Sequence, residues 1–366
     1  MRILVVVPSM HGGGAEFVAR TWAAWLADHG HQVHVHTVAE HSRPAELASN
    51  VVWHGSDRVS GHLATQRHLR STVRTVRPDI VLSLQMYANL HALASRFGQR
   101  GSRVPVVVSE RNLVSIGLSA ASRGHRRKVA VARRAYRRAD HVAAISHAVA
   151  AEMVSSFGVA AERCTVVQNP AASKVTTIPD RLGPGEDVVR GDRRVVLVFP
   201  CRLVEQKRPL LAVEVAAELD RRGYDTSLLV FGTGPLEEAM REHARRRAVT
   251  AVFGGWQEHW FRSCPKGAVL LMPSVREGFG NTLVEAAAAG LRSVAFSGAL
   301  GVSDAVVPGL TGTLTPSDSP EGLADGVEAE YGLSVEGVDE WLIRFGADAS
   351  GTAVSDLLER VRISAS

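Results

Sequence analysis

Glu277 and Glu285 stand eight positions apart in VREGFGNTLVEAAAAGL, residues 275–291, on either side of Gly278, Phe279, Gly280 and Asn281. An ionised carboxylate only accepts hydrogen bonds, so two of them on one turn-to-helix passage can grip two sets of hydroxyls. Between them Gly280 or Asn281 can start a helix, whose first amides, those of Asn281 and Thr282, would face an anion. Upstream, FPCRLVEQKRP places Arg202 just past an apolar run and Lys207 five residues on. Arg can bridge two oxygens of a diphosphate, and Lys acts as a point charge. Near the start, PSMHGGGAE carries Gly12, Gly13 and Gly14, which let the backbone approach a ligand ahead of another helix. Phe17 stands where a dinucleotide fingerprint wants its last glycine, although Glu40 closes the second strand where a ribose-binding acid would sit. Taken singly, each feature has a plainer reading as a tight turn, a surface salt bridge or an acid near a helix N-terminus. Their common position at strand ends favours a site.

The elements that must position these groups follow from an alternating pattern. Short Val/Ile/Leu runs (RILVVVP, HQVHVHTV, RPDIVLSL, VPVVVSE, HVAAIS, CTVVQNP) are separated by segments of helical period. That is what a parallel sheet covered on both faces requires. Residues 171–194 lapse into Pro, Gly and charge, and the alternation then restarts with RRVVLVFP, TSLLVFG, VTAVFGG, GAVLLMPS and SVAFS. The fold class is therefore α/β, with two doubly wound, Rossmann-like domains facing across a cleft lined by loops from both. The boundaries are residues 1–175, a linker at 176–192, a second domain at 193–350, and a C-terminal helix within 351–366.

The Gly12–Gly14 turn, CRLVEQKRP, VFGTGP and above all EGFGNTLVE resemble, in order and over nearly the whole chain, glycosyltransferase family 4, whose second domain bears a Glu-x7-Glu motif. The resemblance implies a GT-B fold, a nucleotide-sugar donor (UDP- or GDP-sugar), no cofactor, no required divalent metal, and transfer with retention at the anomeric carbon. By position it assigns the ribose to Glu285, a hydroxyl of the transferred sugar to Glu277, the diphosphate to Arg202 and Lys207, and a backing role to Gly13 and Gly14. Cys201 departs from the glycine that commonly precedes the arginine. Where many relatives carry a histidine, this chain reads VVVSERN, as a subset of the family does. Glu110 and Arg111 are then the local candidates for sugar or acceptor contact, or else an ion pair. The acceptor would be a saccharide, a lipid-linked sugar or a secondary metabolite. A nucleotide-sugar epimerase would need further acid/base carboxylates, and a non-catalytic nucleotide-sugar-binding subunit would bind without turnover.

A chain of 366 residues, 45% hydrophobic and 22% charged, has the composition of a folded two-domain protein. Cys164, Cys201 and Cys264 are odd in number and widely spaced, which suggests neither disulfides nor a zinc site and points to a reducing cytoplasm. The N-terminal apolar run is too short for a signal peptide, and no window would span a bilayer. Residues 123–138, from Arg123 to Arg138, hold eight Lys or Arg and no acid. They form either a solvated helix face or a patch for an anionic surface at the inner face of a membrane. No aromatic platform accompanies the charge, so nucleic acid is not an expected partner. His34 and His36 share a strand face, but exposed alternation explains them better than a metal site, and packing explains Trp22 and Trp25.

Overall fold

The computed structural model describes residues 1–365 except 39–42, 56–60, 97–102, 117–121, 177, 179–181 and 184–185. Glu40 and parts of the expected linker (177, 179–181 and 184–185) lie outside the described residues. In chain order the first elements are β1 (Arg2–Val7), α1 (Gly14–Asp28), β2 (Gln32–Thr37), β3 (Val52–His54), α2 (His62–Val76) and β4 (Ile80–Leu84). Then come α3 (Met86–Ser95), β5 (Val106–Glu110), α4 (Arg123–Tyr136), β6 (His141–Ala144), α5 (His147–Ser155) and β7 (Cys164–Val166). A second series opens with α6 (Ser173–Thr176), β8 (Arg194–Phe199), α7 (Pro209–Arg221), β9 (Asp225–Val230), α8 (Glu237–Arg246), β10 (Thr250–Phe253) and β11 (Val269–Met272). It closes with α9 (Asn281–Ala289), β12 (Arg292–Phe296), β13 (Gly312–Thr315), α10 (Pro320–Glu330) and α11 (Asp339–Ile343), before the final helix α12 (Ala347–Ala365).

Two compact units result: Met1–Pro170 together with Gly346–Ser366, and Ala171–Phe345. The first holds a parallel sheet in the order β3-β2-β1-β4-β5-β6-β7, the second one in the order β10-β9-β8-β11-β12-β13. Numbered from its own first strand, each sheet runs 3-2-1-4-5-6, the doubly wound order, and the first carries β7 as a seventh strand beyond it. The reason is visible in the strands. Ile3–Val7, Ile80–Leu84 and Val195–Phe199 are buried throughout, as central strands sandwiched by helices must be.

The tail belongs to the first unit. Its helix α12 turns Val354, Leu357, Leu358 and Val361 into the core shared with α1. Trp22 donates its indole N–H to Ser350 Oγ at 2.7 Å, and Trp25 donates to Asp348 Oδ1 at 2.9 Å. Gly351 is obligatory here, because a Cβ would lie 2.2 Å from the Trp25 ring. The two tryptophans thus pack a helix, and α12 is longer than the stretch expected from sequence because its first turns are mostly small and polar.

The expectation of exposed histidines on β2 fails at His36. Its side chain is fully buried, with Nδ1 3.1 Å from Thr72 Oγ1 and the ring 4.8 Å from that of His68. His34, half-buried, meets His54 at 2.9 Å. Among the described residues no group of three metal-ligating side chains assembles. Burial first, then repulsion from His68, His54 and His91, pushes His36 down to about 3. The folded state therefore holds it neutral, while the unfolded chain takes up a proton near the ordinary value of 6.5. Its stabilising contribution is complete above pH 6.5 and is lost as the pH falls toward 3, amounting to about 2 kcal/mol already at pH 5. Urea unfolding at pH 7 and pH 5 should show that drop in the parent chain and a smaller one in His36→Leu; equal drops would refute the account.

Candidate active site

In the second unit the strand order reverses between β8 and β11, and the loops leaving their carboxyl ends form the crevice where ligands bind in such sheets. Arg202 and Lys207 leave β8, and residues 273–280 leave β11. Lys207 lies ahead of α7. It ends a short 3-10 turn (Glu205–Lys207), and Arg208 takes a left-handed conformation (φ 52°) before Pro209 opens α7. The turn is stitched to the neighbouring loop by Val275 N–H to Gln206 O (2.9 Å) and Gln206 Nε2 to Arg276 O (2.9 Å).

That stitching brings Lys207 Nζ to 2.5 Å from Glu277 Oε1. Burial pulls the ammonium pKa down, but Glu277 beside it, with smaller contributions from its neighbours, leaves it above its ordinary value, so Lys207 stays charged. Glu277 is itself fixed through its backbone, donating N–H to Ala299 O at 2.9 Å. Gly301 presses so closely that a Cβ there would sit 2.4 Å from the Glu277 carbonyl. On the other flank, Gly232 and Gly234 of VFGTGP pack on the Cys201 and Leu203 carbonyls, where a Cβ would come within 2.0 and 2.4 Å. These glycines hold the Arg202 turn in place. Cys201 is buried, which pushes its thiol up to about 11, and it lies within the influence of Lys207, Glu277, Glu285 and Arg202 together. Arg202 is exposed and has no ion pair among the described residues.

Gly280, at φ 105°, is the N-cap of α9, and no side chain caps that terminus. Gly278 and Phe279 are buried, the latter against Phe345, while Asn281 and Thr282 form the half-buried first turn. Glu285, 5% exposed, accepts from Trp260 Nε1 at 2.8 Å and pairs with Lys174 Nζ at 3.3 Å. Sequence reasoning missed both partners. Lys174 comes 111 positions before Glu285, and the WQEHW stretch carries no periodicity that points Trp260 inward. An indole N–H donated to a carboxylate is a charge-assisted bond. Trp260→Phe should therefore weaken nucleotide binding about tenfold with a smaller effect on turnover. A calorimetric Kd within twofold of the parent would remove Trp260 from the site.

In the first unit Gly12 (φ 85°), Gly13 and Gly14 are exposed at the carboxyl end of β1, with Gly13 capping α1 and its carbonyl accepting from Phe17 N–H at 3.1 Å. Glu110 ends β5 and points inward, 2% exposed. Tyr136 donates to its Oε2 at 2.5 Å and Arg111 N–H to its Oε1 at 2.9 Å. Burial raises its pKa to about 7 against these hydrogen bonds. Arg111 is also enclosed: it donates to Ser109 Oγ (3.2 Å) and to Asn169 Oδ1 and lies 5.2 Å over the Trp22 ring, with burial lowering its pKa to about 10. Both oxygens of Glu110 are therefore committed inside the unit.

Two family models match in tandem, "Glycosyltransferase Family 4" over residues 12–172 and "Glycosyl transferases group 1" over residues 194–331. The chain belongs to the family 4 type of glycosyltransferases. Among curated relatives, the chain is 32% identical over 133 residues to 2-deoxystreptamine N-acetyl-D-glucosaminyltransferase of Niallia circulans, covering 35% of this chain and 34% of that protein. It is 30% identical over 200 residues to 2-deoxystreptamine glucosyltransferase of Streptomyces kanamyceticus, covering 51% and 49%. The matched stretches thus span between a third and a half of these two relatives. Among solved structures, Anabaena Alr3699/HepE, in complex with UDP and glucose, aligns with a TM-score of 0.75 at 18% identity over 98% of this chain and 99% of that one. The fold is the two-domain GT-B architecture.

Proposed function

We propose that the chain transfers a sugar from a UDP-sugar to a hydroxyl of a saccharide or aminocyclitol acceptor, with retention of anomeric configuration and without a metal. The observation that carries this is the gathering of Lys207, Glu277 and Glu285, distant in sequence, at the reversal of strand order in one sheet, beside an uncapped helix N-terminus. Lys207 keeps donors beyond the one on Glu277 for phosphate oxygens, Arg202 can swing to the same anion, and the α9 amides complete the cradle. Glu285 takes the ribose hydroxyls and Glu277 a hydroxyl of the sugar. The bond from the anomeric carbon to the β-phosphate oxygen breaks while the cations hold the charge growing on the leaving diphosphate. The acceptor oxygen bonds to the anomeric carbon on the face being vacated, and its proton passes to the β-phosphate oxygen. Glu110 acts at a remove, fixing the backbone of Arg111. The relatives acting on 2-deoxystreptamine and the UDP complex of HepE support the choice of acceptor and donor.

The test is calorimetric titration with UDP, GDP and ADP, with and without Mg²⁺, followed by product analysis with UDP-sugars and candidate acceptors. Micromolar, metal-independent binding of UDP and an α-linked product from an α-linked donor support the reading. Tight binding without product would make the chain a non-catalytic subunit, and a requirement for Mg²⁺ would overturn the metal-free mechanism.

A further inference from the structure

A second site lies wholly in the first unit. Helices α3 and α4, with the start of α2, enclose a groove of about 1230 Å³, somewhat larger than an ordinary small-molecule site. Its floor is apolar, built from Met86, Leu90 and Leu93 of α3 and Val131 and Ala135 of α4. Val131 is 55% exposed, and Leu63, 76% exposed, stands at the margin. From His125 to Arg138 the wall rises roughly 20 Å along the helix axis.

The rim has one sign of charge. Arg127, Lys128 and Arg134 are exposed, line the groove and have no ion pair among the described residues. Arg96 and Arg103, also on the lining, pair with Asp140, and among the described residues no Asp or Glu lines the groove. The helix that supplies the rim has no acid in its first turn and opens on Arg123 and Arg126, where cations oppose the helix dipole. A merely solvated helix has no need of that arrangement, nor of apolar side chains left open beside it.

We infer that the groove between α3 and α4 binds an anionic amphiphile, with its hydrocarbon chain along the apolar floor and its phosphate or other acidic headgroup held by Arg127, Lys128 and Arg134. An acidic peptide fits poorly, because its backbone amides would need partners and two polar pairs on the lining, Gln66 with His91 at 3.0 Å and Tyr87 with His62 at 3.4 Å, are already bonded to each other. Nucleic acid fits no better, with Tyr87 the only aromatic ring besides histidines on the lining among the described residues. The inference does not depend on the transfer reaction, since occupancy needs no donor.

Calorimetry of the full chain with dodecyl phosphate, kept below its micelle concentration and without nucleotide, tests it. Saturable binding of one molecule per chain is expected, with octyl phosphate at least tenfold weaker and inorganic phosphate weaker still. Val131→Asp and the double substitution Arg127→Glu/Arg134→Glu alter exposed positions, so both variants should fold, and each should weaken binding at least tenfold. Equal affinity for inorganic phosphate, or full affinity in Val131→Asp, would reduce the groove to a patch of charge and overturn the inference. So would sedimentation with phosphatidylglycerol vesicles that persists unchanged in Val131→Asp while dodecyl phosphate fails to bind the parent.

Discussion

Lys207→Met lowers kcat/KM for sugar transfer at least 10²-fold, the scale on which single groups stabilising developing negative charge act. The ammonium is positioned by its 2.5 Å contact with Glu277 and stays protonated, since its pKa lies above 10.5. The stabilisation carried by that pair is full below 10.5 and is lost only as the pH rises through the still higher folded value, so neutral conditions leave it intact. The substitution also strands Glu277, whose side chain is 8% exposed. Removing one partner of an enclosed pair destabilises, and a unit of this size loses about 2–4 °C of Tm per kcal/mol. A double substitution, Lys207→Met/Glu277→Gln, separates the two effects. It should recover most of the lost Tm and none of the lost rate. Recovery of the rate along with the Tm would mean that Lys207 only holds the loop together.

That pairing marks the limit of what the sequence disclosed. The central strands were legible because a strand buried on both faces must be a continuous apolar run, as in RILVVV and RVVLVF. The edge strands β3 and β13, VWH and GTLT, were not, since a short strand with one free edge needs no such run. The start of α9 was readable from Gly280, whose φ of 105° few other residues tolerate. Glu277 and Glu285 were recognised by their spacing, but what holds each of them was not. Ala299 and Gly301 reach Glu277 from the far side of β12, and Lys174 reaches Glu285 from a residue that chain order assigns to the first half. Spacing reports neighbours along a helix or strand, whereas the parallel sheet juxtaposes loops separated by whole βα units. His36 shows the same blindness, because alternation identifies a face of β2 without saying that α2 covers it.

Glu285→Gln raises the Kd for UDP at least 10²-fold, while Glu277→Gln leaves it within threefold and instead slows transfer. A carboxylate accepting from two ribose hydroxyls makes two hydrogen bonds to a charged group, each contributing about 1.5–3 kcal/mol. Glutamine keeps the volume but can offer only its carbonyl as an acceptor. It also leaves Lys174 as a cation without its carboxylate beside Trp260, in a pocket where the parent carboxylate is 5% exposed. UDP keeps the ribose but lacks the transferred sugar, so it should register the loss of Glu285 and be nearly blind to Glu277, whose amide replacement can still accept from Lys207. With the intact UDP-sugar the order should change: Glu277→Gln then weakens donor binding measurably and lowers kcat, because the group it orients is now present. If UDP binding moves equally in both variants, the ribose and sugar roles are wrongly divided between the carboxylates. Both would then have to be read as supports for Lys174 and Lys207, leaving the two cations to bind the diphosphate.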